Sequence, residues 1–210
     1  MNKSSFIIEY LKINGMQDCI RISNGNKEVI MEKKKIIFVS HCVLNTASKV
    51  ARYIKREINE EEITRKRFLW EAVEKNIHLI QLPCPEFNLY GANRWGHTKD
   101  QFQNSFFMEY SRKILEPYIL QMKEYIKEND KFDVIGIVGI DGSPSCGVNI
   151  TCCGNWGGEF SGRDNIGEVL KGIYIKEEKG VFMEVLEEMM SENNIDLPMI
   201  GLKDALERIL

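Results

Sequence analysis

Runs that are apolar at every position alternate with longer stretches whose apolar residues recur every three or four positions, and this rhythm sets in at residue 36. Ile36-Ile37-Phe38-Val39 reads as a strand buried on both faces, since a half-exposed strand would show polar residues at alternate positions. Asn59 with Glu62 three residues on makes a capping-box start for a helix running to Asn76, with Ile63, Trp70 and Val73 as its apolar face. Residues 77–82 predict a second strand. After a loop rich in Gly, Asn and Pro, Phe102, Phe106 and Tyr110, then Tyr118, Met122 and Ile126, keep helical spacing over two segments that Pro117 is expected to kink or divide. Residues 134–140 predict a third strand. Phe182, Val185, Leu186 and Met189 fall at i, i+3, i+4 and i+7 of a last helix, and residues 198–202 predict a fourth strand.

Wholly apolar strands alternating with helices argue for right-handed βαβ units, and so for an α/β fold: a Rossmann-like three-layer α/β/α sandwich with a mostly parallel sheet. Ligands of such sheets bind beyond the carboxyl ends of the strands, where strand order reverses. Residues 1–33 are punctuated by Asn, Gly and Lys and close on Lys33-Lys34-Lys35, so they read as an N-terminal extension, either a small hairpin or a poorly ordered tail. Residues 34–210 read as a single α/β domain.

Composition narrows the function. With 28 Lys and Arg against 31 Asp and Glu the net charge is −3, which offers no surplus to neutralise a phosphate backbone, and a nucleic-acid polymer is not the expected partner. A small molecule is. The longest apolar stretches fall far short of the roughly 18 residues that cross a bilayer, so no membrane partner is expected. Glu9 and Lys12 interrupt the apolar Phe6-Ile7-Ile8 cluster and no small-residue cleavage site follows, so the expected location is cytoplasmic, as a monomer or small homo-oligomer. Six cysteines in such a chain point to metal ligands or reactive thiols rather than a disulfide scaffold.

Three of them stand out by position. Cys42 follows the first strand, Cys84 the second and Cys146 the third, each beside residues of turn-forming type, so the predicted topology brings all three to one edge of the sheet. Their spacing matches no compact metal motif, and any one of them alone reads better as a small buried hydrophobe. Together, three thiolates suit a soft metal, zinc or an iron–sulfur cluster among them, with one coordination site left open.

Ser40-His41-Cys42, Cys84-Pro85-Glu86 and Ser143-Pro144-Ser145-Cys146-Gly147 resemble the signature of the DUF523 family, whose characterised members are thiouracil desulfidases. The resemblance covers most of residues 35–202. It implies that Cys42, Cys84 and Cys146 hold a [4Fe–4S] cluster whose unique iron takes sulfur from a small thiocarbonyl substrate, with water supplying the replacing oxygen and no net redox change. It further implies catalytic roles for Glu86 and Ser143. The chain departs from the family where Val43-Leu44-Asn45-Thr46 replaces a Leu-Leu-Gly run, where only Arg52-Tyr53 matches a later Arg-Tyr-Asp-Gly piece, and in the segment 151–158, which marks it as a divergent member.

Each residue also has a plainer reading. Glu86 suits a general base on water or a proton carrier to departing sulfide, and equally a hydrogen-bond acceptor that fixes its loop. Ser143 suits a contact to substrate or bound sulfur, and equally a turn-forming hydroxyl before Pro144. His41, next to Cys42, would point to the opposite face of a strand, so packing is expected of it, as of His78 and His97. Cys152 and Cys153 read as structural, Cys19 as part of the extension, and Trp95 and Trp156 as packing residues that could otherwise stack on a planar base. No complete GxGxxG or Walker A pattern is present. The expected function is therefore a [4Fe–4S] desulfidase, releasing sulfide from a thiouracil-like compound by C–S bond hydrolysis. The alternative is a non-catalytic protein in which the same cysteines bind zinc or a labile cluster. A cysteine-nucleophile enzyme would need a histidine base that the three histidines do not obviously provide.

Overall fold

The fold is described from a computed structural model, which describes residues 20–23, 26–29, 32–51 and 55–209. Strand β1 (Ile20–Ser23) pairs antiparallel with β2 (Asn26–Val29) as a separate two-stranded sheet; the rest of residues 1–31 lies outside the described residues. The central sheet has four strands, β3 (Lys34–Val39), β4 (Ile77–Gln81), β5 (Phe132–Gly139) and β8 (Met199–Gly201), in the order β4-β3-β5-β8 and all parallel. Between β5 and β8 the chain forms a small antiparallel pair, β6 (Thr151–Cys153) with β7 (Tyr174–Lys176).

Both faces of the central sheet are covered, which is why its strands are apolar throughout. Ile36 and Phe38 of β3 and Ile137 of β5 pack on one side against two long helices, α5 (Ser105–Lys127) and α7 (Val181–Glu192). Ile37 and Val39 point the other way and meet α2 (Lys55–Glu74) and α8 (Leu202–Ile209). The handedness of parallel crossovers explains this division. The chain steps one way from β3 to β4 through α2, and then back past β3 to β5 and on to β8 through α5 and α7, so the helices of the two directions land on opposite faces. Strand order therefore reverses at β3, and the crevice beyond its carboxyl end is where such folds place ligands. The α/β three-layer expectation is what the chain adopts. Among the described residues no helix is long and apolar enough to cross a membrane.

Three features differ from the pattern in the sequence. Helix α2 begins at Lys55 and buries Phe68 and Ala72, whereas Ile63, Trp70 and Val73 are 59%, 66% and 72% exposed. The periodicity was real, but it does not say which stripe the sheet meets, and the close helix–sheet contact takes the stripe with a small Ala72. Helix α5 is continuous across Pro117, which lies on its exposed side together with Lys113, whose carbonyl loses its partner to the proline ring. Its core stripe is Phe107, Ser111, Leu115, Ile119 and Met122, one position on from the exposed Phe106, while Phe102 belongs to a separate short helix, α4 (Lys99–Phe102). Strand β8 stops at Gly201, and Leu202 opens α8, a helix absent from the sequence reading. A β-bulge between Ile36 and Ile37 sits opposite Gly136, whose φ of +153° and a Cβ position only 2.6 Å from the Pro198 carbonyl leave room for glycine alone.

The reassigned face of α2 is directly testable. Phe68→Ala is expected to cost about 3–5 kcal/mol of unfolding free energy and Trp70→Ala less than about 0.5 kcal/mol, measured by urea denaturation; equal losses would contradict the packing described.

Candidate active site

The first two cysteines follow strands whose carboxyl ends run directly into short helices. After Val39, Ser40 takes the N-cap position of α1 (His41–Leu44), so Cys42 lies in a helical turn and not on the strand. Its Sγ lies 3.4 Å from Ser48 Oγ in the 3-10 turn Thr46–Ser48. After β4, Cys84 is the N-cap of α3 (Pro85–Tyr90), with its sulfur accepting from Phe87 N at 3.3 Å. This gives Cys-Pro-Glu a local logic: a cap acceptor, a proline at the first helical position whose missing N–H costs nothing there, and a carboxylate in the first turn where the helix end favours negative charge.

Cys146 lies on the long loop after β5, which is held from both ends. Ile140 N donates to Cys146 O and Cys146 N donates to Ser143 Oγ, each at 3.0 Å. The first free N–H groups of α7 cap the same loop, Val181 N on Pro144 O and Phe182 N on Ser145 O, both at 3.0 Å. Gly180 makes this approach possible, because a Cβ there would sit 2.5 Å from the Ser145 carbonyl carbon. Asp141 Oδ1 takes the N–H groups of Val148 and Asn149 and closes the turn.

Cys42, Cys84, Cys146, Glu86 and Ser143 all line one cavity of about 380 Å³. Cys42 and Cys84 share a hydrogen bond, which holds the Cys42 thiol below its ordinary pKa and pushes that of Cys84 up. Burial pushes Cys146 up to about 12. A cation bound among the three sulfurs would favour the thiolate form of each. The five described cysteines are all free.

A buried polar chain stands beside the thiols. Ser145 Oγ donates to Glu86 Oε1 at 2.5 Å, and Ser143 Oγ lies 3.3 Å from Ser145 Oγ. Arg94, its side chain only 4% exposed, brings Nε to 3.5 Å from Glu86 Oε2, an ion pair without hydrogen-bond geometry. Its other nitrogens donate to Gly91 O at 2.9 Å and Ser48 O at 2.7 Å, tying the Cys42 turn to the end of α3. Among the described residues, three buried side-chain atoms have no hydrogen-bond partner, Ser40 Oγ, Arg94 Nε and His97 Nδ1. Arg94 and His97 line the cavity, and Ser40 is the N-cap of the helical turn that carries Cys42. Buried orphans are rare in native proteins, and their gathering here fits a cavity built for an occupant. Three thiols of this kind fit a thiolate-bound group, although no set of three or more His, Cys, Asp or Glu among the described residues is arranged to hold a metal ion.

Several of these residues were not legible as functional. His41 lines the cavity because it starts a helix, so the strand alternation that turned it away does not apply. Ser145, buried and bonded to Glu86, sits nearer the carboxylate network than Ser143, which also serves the turn through Cys146 N. Arg94, Lys49, His97 and Cys152 also line the cavity. For Arg94 and His97 the only sequence signal is a cation and a histidine in the Gly- and Asn-rich loop after Cys-Pro-Glu. Cys153 is a structural thiol, its Sγ 3.4 Å from Glu178, which pairs with the buried Lys99. His78 is exposed on β4, Trp156 donates to Gly96 O at 3.0 Å and packs with Trp95 around Phe160, and Cys19, Arg52 and Tyr53 lie outside the described residues. A second cavity, of about 230 Å³ and lined by Lys35, Ile77 and Arg208, contains no thiol or carboxylate.

Comparison with known proteins decides the family. A family profile described as "Putative 2-thiouracil desulfurase" matches residues 34–200. The chain belongs to this family. Its matched span takes in the four-stranded sheet but for Gly201, and all three cavity cysteines. An uncharacterised protein of Methanocaldococcus jannaschii is 36% identical over 118 residues, which is 56% of this chain and 70% of that protein. No solved structure matches the chain.

The Arg94–Glu86 pair in this desulfurase-family site gives a stability prediction. Arg94→Ala leaves a buried carboxylate without its cation and is expected to cost about 3–5 kcal/mol. Adding Glu86→Gln should recover part of that loss in a double-mutant cycle read by urea unfolding, and strict additivity would refute the coupling.

Proposed function

We propose that this chain is a [4Fe–4S]-dependent desulfidase that removes sulfur from a small, thiouracil-like thiocarbonyl compound by hydrolysis and releases it as sulfide. The observation that carries this reading is the convergence of Cys42, Cys84 and Cys146 from three strand ends on one cavity that also holds a buried Glu86–Ser145 pair. Membership of the desulfurase family supports it. Free thiols and a cluster of this kind belong in a reducing compartment, in keeping with a cytoplasmic location.

Cys42, Cys84 and Cys146 would hold the cluster, which when bound supplies a Lewis-acidic iron that draws electron density from the thiocarbonyl sulfur. The chain's own residues then manage protons. The reaction R₂C=S + H₂O → R₂C=O + H₂S forms a carbon–oxygen bond, breaks the carbon–sulfur bond and moves both water protons to sulfur. Glu86 takes a proton from the attacking water and returns it to the departing sulfur. Ser145 fixes Oε1 by its hydrogen bond, and Arg94 beside Oε2 holds the carboxylate in place. Ser143, within reach of Ser145 and at the cavity wall, is a contact for substrate.

Anaerobic purification with iron and acid-labile sulfide analysis tests the reading. About four iron and four sulfide per chain are expected in the wild type, and loss of the cluster in Cys42→Ala, Cys84→Ala and Cys146→Ala. A cluster retained in Cys146→Ala, or zinc in its place, would overturn the ligand assignment and favour a binding or sensing protein. Glu86→Gln is expected to keep the cluster spectrum and lower sulfide release from 2-thiouracil by about 10²–10⁴-fold; full turnover would remove Glu86 from the mechanism.

A further inference from the structure

Cys42 is held differently from the other two thiols of the site. Cys84 caps α3 directly after β4, and Cys146 sits in a loop closed by its own backbone bonds and by the N–H groups of α7. Ser40 N still donates to Val138 O of β5 at 2.8 Å, but the turn from His41 to Ser48 then leaves the sheet. Among the described residues its backbone–backbone bonds are local: Val43 N donates to Ser40 O, Asn45 N to His41 O and Lys49 N to Thr46 O. Ser48 Oγ donates to Asn45 O at 2.9 Å, so the turn closes on itself beside the Cys42 sulfur.

Side chains from three other elements supply the bonds that fix this turn to the rest of the molecule. Gln81 Nε2, at the end of β4, donates to His41 O at 2.9 Å, Arg94 Nη2 donates to Ser48 O at 2.7 Å, and Arg65 Nη1 of α2 donates to Val43 O at 3.0 Å. The Arg65 bond meets the residue next to the cysteine, at the end of a helix only four residues long whose last carbonyls have no helical partner. Arg65 is itself locked. Its Nε and Nη2 donate to the two carboxylate oxygens of Glu62, both at 2.8 Å, and its side chain is only 11% exposed. A planar guanidinium fixed at two points presents its remaining nitrogen in a set direction. The same bonds hold the Glu62 carboxyl at about 2, so the fork stays charged. Helix α2 already docks on the sheet through Phe68 and Ala72, and Arg65 adds the contact to the turn.

We infer that Arg65, clamped by Glu62, is a positioning residue: through Val43 O it holds the turn that keeps the Cys42 sulfur among the thiols of the cavity. Its bearing on function rests on the ligand assignment of the desulfidase reading. In that reading Cys42 is the thiol whose place is set by side chains from distant elements, and a slack turn would let it leave the other two.

Cross-linking with dibromobimane, which joins two thiols only when they are close, reads the position of Cys42 in the cluster-free chain. The wild type is expected to give a Cys42–Cys84 adduct by mass spectrometry, and Arg65→Met to lower its yield about tenfold, as the loss of a charged hydrogen bond implies, with single alkylation of Cys146 unchanged. Arg65→Lys keeps a donor for Val43 O and should recover part of the yield. Lys66→Met is the control, because Lys66 also meets Glu62, at 3.4 Å, from an exposed position and should leave the yield unchanged. An unaltered yield in Arg65→Met, or an equal fall in Lys66→Met, would overturn the inference. If circular dichroism shows Arg65→Met unfolded, Glu62→Gln takes its place with an expected fall of about twofold, and no fall there overturns the inference equally. In the anaerobically reconstituted protein Arg65→Met should release iron to a chelator about tenfold faster than the wild type; equal rates would count against it. A wild type that takes up no iron yet loses its cross-link in Arg65→Met would sink the desulfidase reading and leave the positioning role standing, whereas a full cluster with a cross-link indifferent to Arg65 would do the reverse.

Discussion

Everything at this site depends on a parallel sheet that must be covered on both faces. Once helices lie over Ile36 and Phe38 on one side and Ile37 and Val39 on the other, the only open ground near the core is the rim beyond the strand ends. Because the chain leaves β3 in one direction and returns past it in the other, the carboxyl ends of β3, β4 and β5 open into a common crevice. The cysteines that follow these strands are thus brought together by topology, with no local motif to hold them near one another.

That rim also has to carry polar groups that the sheet edge leaves unsatisfied, and it does so with very short helices and tight turns. α1 and α3 begin at once after their strands, and the long loop after β5 borrows the unpaired N–H groups of α7. These devices give the backbone of the rim its hydrogen-bond partners. In such surroundings the charges are interdependent: the Cys42–Cys84 pair lowers the pKa of one thiol and raises that of the other, and the buried Glu86 is accompanied by Arg94 and Ser145. Arg94 is the hub of this arrangement, since it meets the carboxylate while bonding backbone on both the Cys42 and Cys84 sides.

The proposed chemistry follows from a division of labour across the cavity. The thiols suit a soft, electron-withdrawing metal group. The Glu86–Ser145 pair suits proton movement. Each lies on a different element, so substrate contacts on the loop after α3 can vary without disturbing the cysteine positions.

How much was readable beforehand can be judged residue by residue. The wholly apolar runs at residues 36–39 and 134–140 determined a two-faced sheet, because no other environment tolerates them. With the alternation of strand and helix, they placed Cys42, Cys84 and Cys146 at one edge. Cys-Pro-Glu was legible because its chemistry is local: a cap, a proline and a carboxylate in consecutive positions. The face of α2 was not, since Ile63 and Trp70 repeat with the same period as Phe68 and Ala72, and only docking on the sheet decides between opposite stripes. Nor were Arg94, Ser145 and His97, whose roles depend on partners some 46 to 59 residues away for the first two and on packing against Tyr90 and Phe102 for the third. Sequence by itself determined the strands, their burial and the cysteines that follow them, because those properties reside in neighbouring residues. Tertiary structure alone decided which polar groups meet in the cavity, because hydrogen-bond partners, burial and charge compensation are set by residues that the chain brings together only when folded.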